Sequence, residues 1–135
     1  MNYYLVKSEP HKYSWEKFLQ EGRTHWDGVR NYQARNNLRE MKAGDLVLFY
    51  HSNEGKCVVG IAKVVTAFYQ DPTTDDPNWV VVDIEPVQTL EKPVTLQQIK
   101  ADEQLQNISL IKQGRLSVMP LKAEEFDRII ALGNQ

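Results

Sequence analysis

Residues 46–68, LVLFYHSNEGKCVVGIAKVVTAF, contain two apolar runs separated by a short polar turn. The runs, Leu46–Ser52 and Val58–Phe68, have the length and the β-branched and aromatic content that are typical of strands. Asn53-Glu54-Gly55 between them is a tight hairpin signal, and strands joined in this way are antiparallel. The stretch therefore predicts a β-hairpin, and with it a fold that contains an antiparallel sheet.

Similar apolar runs lie on both sides of the hairpin. Tyr3–Ser8 precedes it and Trp79–Val87 follows it, so at least four strands are expected. Two shorter stretches, Ile108–Ile111 and Leu116–Val118, are further candidate strands.

Three helices are indicated by capping residues and apolar periodicity. Ser14 is a good N-cap for Trp15–Glu21, and Gly22 fits the stop at its end. Tyr13 and Phe18 occupy the two positions of a hydrophobic staple. Thr95 begins a capping box for a second helix, which runs to about residue 102. The last helix covers about residues 123–132 and ends at a glycine. Because strands mostly follow strands, the order predicts an α+β fold with a small, mixed or closed β-barrel.

The composition limits the class of protein. The chain has 135 residues, a formal charge of −2, 41% hydrophobic residues and one cysteine, Cys57, which predicts one ordinary domain without an internal disulfide or a thiolate-rich zinc site. No apolar run approaches the roughly 18–20 residues that span a bilayer, and no signal peptide is visible, so a cytoplasmic or nuclear location is expected. The small net charge argues at first against nucleic-acid binding.

The charge is unevenly distributed, however. Residues 23–42, RTHWDGVRNYQARNNLREMK, carry five basic and two acidic side chains, a net charge of +3, so the remainder carries −5. If a helix begins near Asn31, Ala34, Leu38 and Met41 share the face that meets the core. The opposite face then presents Tyr32, Arg35, Asn36 and Arg39. That face is either a solvated surface or, given its arginine and amide content, a surface for phosphate and planar hydrogen bonding.

Trp26 stands just before this helix, in a loop rich in polar residues and glycine. It is either an anchor packed onto the sheet or a stacking surface for a flat ligand. Asn31 is either a helix cap or part of a pocket wall. Ser8 and Ser52, which end two strands, are either turn formers or hydrogen-bonding groups of the same pocket.

Catalytic motifs are not evident in the sequence. The spacing of His11, His25 and His51 matches no standard metal motif, and neither a Gly-rich phosphate loop nor a nucleophile elbow is present. Cys57 at the start of a strand is interpreted as a small buried apolar residue.

Six blocks of the sequence, taken in order over nearly the whole chain, resemble the EVE domain family. They are YYLVKSEP (3–10), WDGVRNYQARNN (26–37), GDLVLFYHS (44–52), VGIAKV (59–64), DPNWVVVDI (76–84) and LSVMPL (116–121). The resemblance implies a single PUA-like domain over residues 1–135, a small β-barrel with peripheral helices that is related to YTH and ASCH domains.

The resemblance also implies a function. EVE domains are thought to read modified bases, so the expected partner is DNA or RNA with a modified cytosine or adenine held in an aromatic pocket. Neither catalysis nor a cofactor or metal is expected, and a monomer is favoured. The residues that match the family's site are Lys7, Ser8, Trp26, Arg30, Asn31, Gln33, Arg35, Asn36, Tyr50, His51 and Ser52. Candidates for the second aromatic wall are Phe68, Tyr69 and Trp79. The alternatives are a metal-independent ribonuclease of the ASCH type, using His51 with Lys7, and a protein-interaction module.

Overall fold

The computed structural model describes all 135 residues and contains six strands and five α-helices. The strands are β1 (Tyr3–Ser8), β2 (Thr24–His25), β3 (Leu46–His51), β4 (Cys57–Gln70), β5 (Val80–Thr95) and β6 (Val118–Leu121). The helices are α1 (Trp15–Glu21), α2 (Tyr32–Glu40), α3 (Leu96–Ala101), α4 (Ser109–Lys112) and α5 (Ala123–Gly133), and a 3-10 turn covers Glu103–Leu105.

All strands belong to one mixed sheet in the order β2-β5-β4-β3-β1-β6. The predicted hairpin is confirmed, because β3 and β4 pair antiparallel; β1 runs parallel to β3 and antiparallel to β6. The β4–β5 pair contains four register shifts, which bend the two strands. The α+β class is confirmed, but the expected closed barrel is not: β2 and β6 are sheet edges and do not pair with each other.

Three strand predictions differ from the structure. The apolar run 108–111 predicts a strand, but Ile108 precedes α4 as its N-cap residue and Ser109–Lys112 form the helix, because a four-residue apolar run fits either a strand or a buried helical turn. The expected strand at 116–118 lies instead at Val118–Leu121, where Met119 pairs with Leu5. The strand predicted over 79–87 continues as far as Thr95.

The predicted helix signals are confirmed by geometry. The Ser14 side chain accepts a hydrogen bond from the Lys17 amide at 3.1 Å, and Gly22 closes α1 with φ +73°. Thr95 and Gln98 form both hydrogen bonds of the capping box. None of the helices is both long and apolar enough to cross a membrane.

The core beside the functional region is aromatic. Phe49 is fully buried on β3, and its ring centroid lies 5.3 Å from Trp15, 5.6 Å from Phe18 and 5.5 Å from Trp26. The cluster fixes α1 and the loop before α2 against the same strand. Helix α2 buries Ala34 and Leu38, and Met41 after it is also buried, as the periodicity predicted.

Candidate functional site

A cavity with a volume of about 610 Å³ lies where β1 ends. Its walls come from Lys7-Ser8-Glu9, Lys12-Tyr13, Glu21, residues 24–30 and Ser117. Typical small-molecule pockets occupy about 300–1,000 Å³, so the cavity has room for a nucleobase-sized ligand. Of the site residues expected from the sequence, Lys7, Ser8, Trp26 and Arg30 line it.

Trp26 is both anchored in the core and part of the cavity wall. Its side chain is only 8% exposed, and its ring lies nearly perpendicular to Phe49, at 85°. Its amide donates a hydrogen bond to the Val82 carbonyl at 2.8 Å. The two readings of this tryptophan are therefore compatible, since the core contact holds the ring in place at the edge of the cavity.

A buried carboxylate supports the loop that follows Trp26. Asp71 Oδ2 accepts hydrogen bonds from the Gly28 amide and from Arg30 Nη1, both at 3.0 Å. Asp71 Oδ1 accepts from the amide and hydroxyl of Thr73 at 2.7 and 2.6 Å. Burial alone would raise the pKa of Asp71, but these donors lower it from 3.8 to about 2. Asp71 therefore remains ionised at neutral pH and holds Gly28 and Arg30 of the loop in place.

Most charged groups around the cavity are already engaged. Lys7 Nζ donates to the Gly114 carbonyl at 2.8 Å, and burial lowers its pKa. Glu9 pairs with Lys12 at 3.1 Å, and the Tyr13 hydroxyl donates to Glu21 at 2.6 Å. The lining has three cationic and three anionic side chains, not counting His25: Lys7, Lys12 and Arg30 against Glu9, Glu21 and Asp27. Such a balanced, polar wall suits a neutral planar ligand with hydrogen-bonding edges better than a phosphate.

The α2 residues expected in the site lie outside this cavity. Asn31 caps α2, since its Oδ1 accepts from the Ala34 amide at 2.9 Å, and with Gln33 it lines a separate depression of about 270 Å³ next to residues 113–116. Arg35 Nη2 donates to Asn36 Oδ1 at 2.7 Å, and neither residue lines either cavity.

The end of β3 is also separate from the cavity. Tyr50 is buried, and the Ser52 amide donates to the Ser8 carbonyl at 2.9 Å. His51 Nε2 accepts a hydrogen bond from the Trp15 amide at 3.0 Å, and burial lowers the pKa of His51. Tyr50, His51 and Ser52 do not line the cavity, so His51 and Lys7 do not face each other across it.

The aromatic partner of Trp26 at the cavity is Tyr13. Its ring centroid lies 6.2 Å from Trp26 at an interplanar angle of 77°, and its contact with Phe18, also 6.2 Å, fits the staple expected from the sequence. Phe68, Tyr69 and Trp79, the candidates proposed from the sequence, do not line the cavity. The sequence reasoning did not assign Tyr13 or Asp71 to the site; the only signal for Asp71 is the Asp71-Pro72-Thr73 turn motif.

The chain folds as a small α+β domain, and this fold is also seen in a YTH domain. A YTH domain from Zygosaccharomyces rouxii, solved with N6-methyladenosine RNA, shares the fold with a TM-score of 0.62 at 14% identity, over 98% of this chain and 86% of that one. The chain belongs to the EVE domain family, whose model matches residues 2–132. Mouse thymocyte nuclear protein 1 is 38% identical, over 97% of this chain and 73% of the relative.

Two solved structures are more similar than the YTH domain. A protein from Agrobacterium tumefaciens has a TM-score of 0.97 and 47% identity, covering 98% of this chain and 93% of that one. The human THYN1 protein, solved in complex with DNA that contains 5-methylcytosine, has a TM-score of 0.93 and 34% identity, covering 100% of this chain and 99% of that one.

Proposed function

We propose that this chain, as a single EVE domain over residues 1–135, binds nucleic acid without catalysis and reads a modified base in the cavity beside Trp26. The observation that carries the proposal is a base-sized, charge-balanced cavity with a core-anchored tryptophan in its wall. The human THYN1 complex supports it, because that protein shares the fold and was solved with 5-methylcytosine DNA. For that reason a modified cytosine in DNA is the first ligand to test.

Shape alone gives such a cavity little selectivity for a methyl group. Stacking on Trp26 contributes about 1–3 kcal/mol to the binding of any base. Burying one methyl adds only about 0.8 kcal/mol, roughly fourfold in affinity. The remaining selectivity has to come from hydrogen bonds to the base edge. The Ser117 hydroxyl in the lining is available for them, and the Ser8 and Thr24 hydroxyls, which donate to the Tyr13 and His25 carbonyls, can still accept. A base that leaves a buried polar group unpaired loses about 1–3 kcal/mol.

A duplex target has to release the base from its stack, at a cost of a few kcal/mol. Contacts between phosphates and basic side chains outside the cavity would offset this cost. We therefore expect the affinity for a modified base to be higher in a single strand or a mismatch than in a fully paired duplex.

The non-catalytic part of the proposal is supported by the position of His51. Acid–base catalysis on a phosphodiester needs a titratable group within reach of the reacting oxygen. Here Nε2 of His51 is bound to the Trp15 amide, outside the cavity.

The test is an anisotropy titration of short DNA and RNA oligomers that contain cytosine, 5-methylcytosine, 5-hydroxymethylcytosine, adenine or N6-methyladenine. One modified base should bind more tightly than its parent, and Trp26→Ala should remove the difference while Trp26→Phe retains part of it. Equal affinities for all bases, unaffected by Trp26→Ala, would contradict the reader function. Release of labelled RNA fragments by the wild type but not by His51→Ala would identify a ribonuclease instead.

A further inference from the structure

A surface of alternating arginines and aromatic rings extends from the cavity along α2. Arg30, which lines the cavity, lies over the Trp79 ring at 5.7 Å from its centroid. The Tyr32 ring is 5.0 Å from Trp79 with an interplanar angle of 31°, and Arg35 lies over Tyr32 at 5.0 Å. Farther along, Arg39 lies over Phe68 at 5.4 Å. We call these six residues the arginine–aromatic strip.

The strip is open to solvent, and two of its charges are uncompensated. The side chains of Tyr32 and Phe68 are 60% and 45% exposed, although large apolar rings gain by burial. The arginines that pair with a carboxylate are Arg23, Arg30 and Arg128. Arg35 and Arg39 have no such partner, in a chain whose net charge is negative.

We propose that the arginine–aromatic strip binds the single strand that flanks the base in the cavity, with phosphates on Arg35 and Arg39 and an unpaired base on Tyr32. This inference rests on the proposed function, because it takes nucleic acid as the ligand. A guanidinium laid on a ring is held in position yet keeps N–H donors at its edge for phosphate oxygens. Exposed rings among such cations are the arrangement that binds single-stranded nucleic acid without sequence preference.

The dimensions of the strip fit a short strand. Tyr32, Arg35 and Arg39 occupy one face of α2, and the axial distance from Tyr32 to Arg39 is about 10 Å at 1.5 Å per residue. A stacked strand rises by about 3.4 Å per nucleotide along its axis, so the strip is as long as about three stacked nucleotides, or as fewer nucleotides of an extended strand. Because Arg30 belongs to both the cavity lining and the strip, the two surfaces are continuous.

The first test uses an unmodified oligodeoxycytidylate, which has neither a modified base nor a 5-methyl group to offer the cavity. Binding is measured by anisotropy at several salt concentrations for the wild type, for Arg35→Gln with Arg39→Gln, and for Lys92→Gln with Lys100→Gln. The lysine pair is a control that removes the same charge from exposed positions outside the strip. The slope of log K against log salt is negative, and each phosphate contact contributes about −0.7 to it for a single strand. Loss of two contacts should therefore make the slope less negative by about 1.4. The lysine control should leave the slope unchanged.

A second test separates stacking from charge. Tyr32→Ala should weaken oligodeoxycytidylate binding by about tenfold, the loss expected for one stacked base, and Tyr32→Phe should restore it. An unchanged salt slope in the double arginine variant would overturn the proposal, and so would an equal fall in the lysine control. In either case the strip would be a surface for a protein partner or for no partner.

The outcomes distinguish the strip from the cavity. The preference for a modified over an unmodified cytosine should disappear in Trp26→Ala and persist in the double arginine variant, although the latter binds both oligomers more weakly. If the wild type shows no preference for a modified base, but the double arginine variant loses salt-dependent binding, the reader function is refuted and the strip is supported. If the wild type prefers a modified base, but the arginine substitutions have no effect on binding, the reader function is supported and the strip is refuted.

Discussion

Asp71, which has no exposed surface, accepts a hydrogen bond at 3.0 Å from Arg30, whose side chain is 41% exposed. The same carboxylate oxygen holds the Gly28 amide, so one buried charge fixes two points of the loop that forms the cavity wall. Gly28 adopts φ +76°, a conformation that favours glycine, and the Asp71 contact keeps its amide in that position. The cavity therefore depends on a residue that lies outside its lining.

Asp71→Ala should destabilise the protein by about 1–3 kcal/mol, because it removes the acceptor shared by the Gly28 amide, Thr73 and Arg30, whose donors then have only water as a partner. The free energy of unfolding in urea measures this loss. Asp75→Ala, which removes an exposed carboxylate nearby, is the control and should change stability by less than about 0.5 kcal/mol. Equal unfolding midpoints for the two variants would show that Asp71 does not support the loop.

The elements that the sequence predicted well are those determined by local chemistry. The Ser14 cap, the Thr95 capping box and the hairpin between β3 and β4 each depend on residues a few positions apart. The two-residue strand β2 was missed because it exists only through its pairing with β5. The expected closed barrel was wrong because β2 and β6 remain unpaired edges, and no local motif encodes which strands lie at the edges of a sheet.

The site was predictable where one loop supplies it. Trp26 and Arg30 come from the same short stretch, and Lys7-Ser8 ends the strand beside it. His51 pairs in register with Ser8, yet its ring accepts a hydrogen bond from the Trp15 amide at the start of α1. The sequence alone does not show this contact. Tyr13 and Asp71 reach the site from separate loops, so only the tertiary structure identifies them.

Gly60→Ala should destabilise the fold through a steric clash. A Cβ at this position would lie 2.2 Å from Cζ2 of Trp15. Because the backbone fixes the position of Cβ, the new methyl group cannot rotate away from this contact. Trp15 cannot move away easily, since it is 4% exposed and its Nε1 donates to Thr89 at 2.9 Å. We expect a loss of at least about 1–3 kcal/mol, measured by urea unfolding.

Gly114→Ala is the matched control for this clash, because nothing lies within 4 Å of a Cβ built there. It should change stability by less than about 0.5 kcal/mol. If the two alanine variants unfold at the same urea concentration, Trp15 is free to move and its packing against β4 is not a constraint.

His51 should make stability depend on pH below neutrality. Burial lowers its pKa from 6.5, with a smaller opposing effect of Glu16, so the folded state favours the neutral ring that accepts from Trp15. This contribution is complete above pH 6.5 and is lost as the pH falls from 6.5 through the lower pKa of the folded state. His51→Gln keeps an acceptor that does not titrate, so it should lose less stability than the wild type between pH about 7.5 and about 5. Identical acid losses in the two proteins would refute this role.

Tyr13 should contribute to base binding as the second aromatic wall. Tyr13→Ala removes a ring that lies 6.2 Å from Trp26 and lines the cavity, and we expect affinity for an oligomer with the preferred modified base to fall by about 1 kcal/mol, roughly fivefold. Tyr13→Phe keeps the ring and loses only the hydrogen bond to Glu21, so it should bind within about twofold of the wild type. Tyr69→Ala, a control at a tyrosine outside the cavity, should leave the preference for the modified base unchanged. A loss of that preference in Tyr69→Ala but not in Tyr13→Ala would place the base near Tyr69 and contradict the assignment of the cavity.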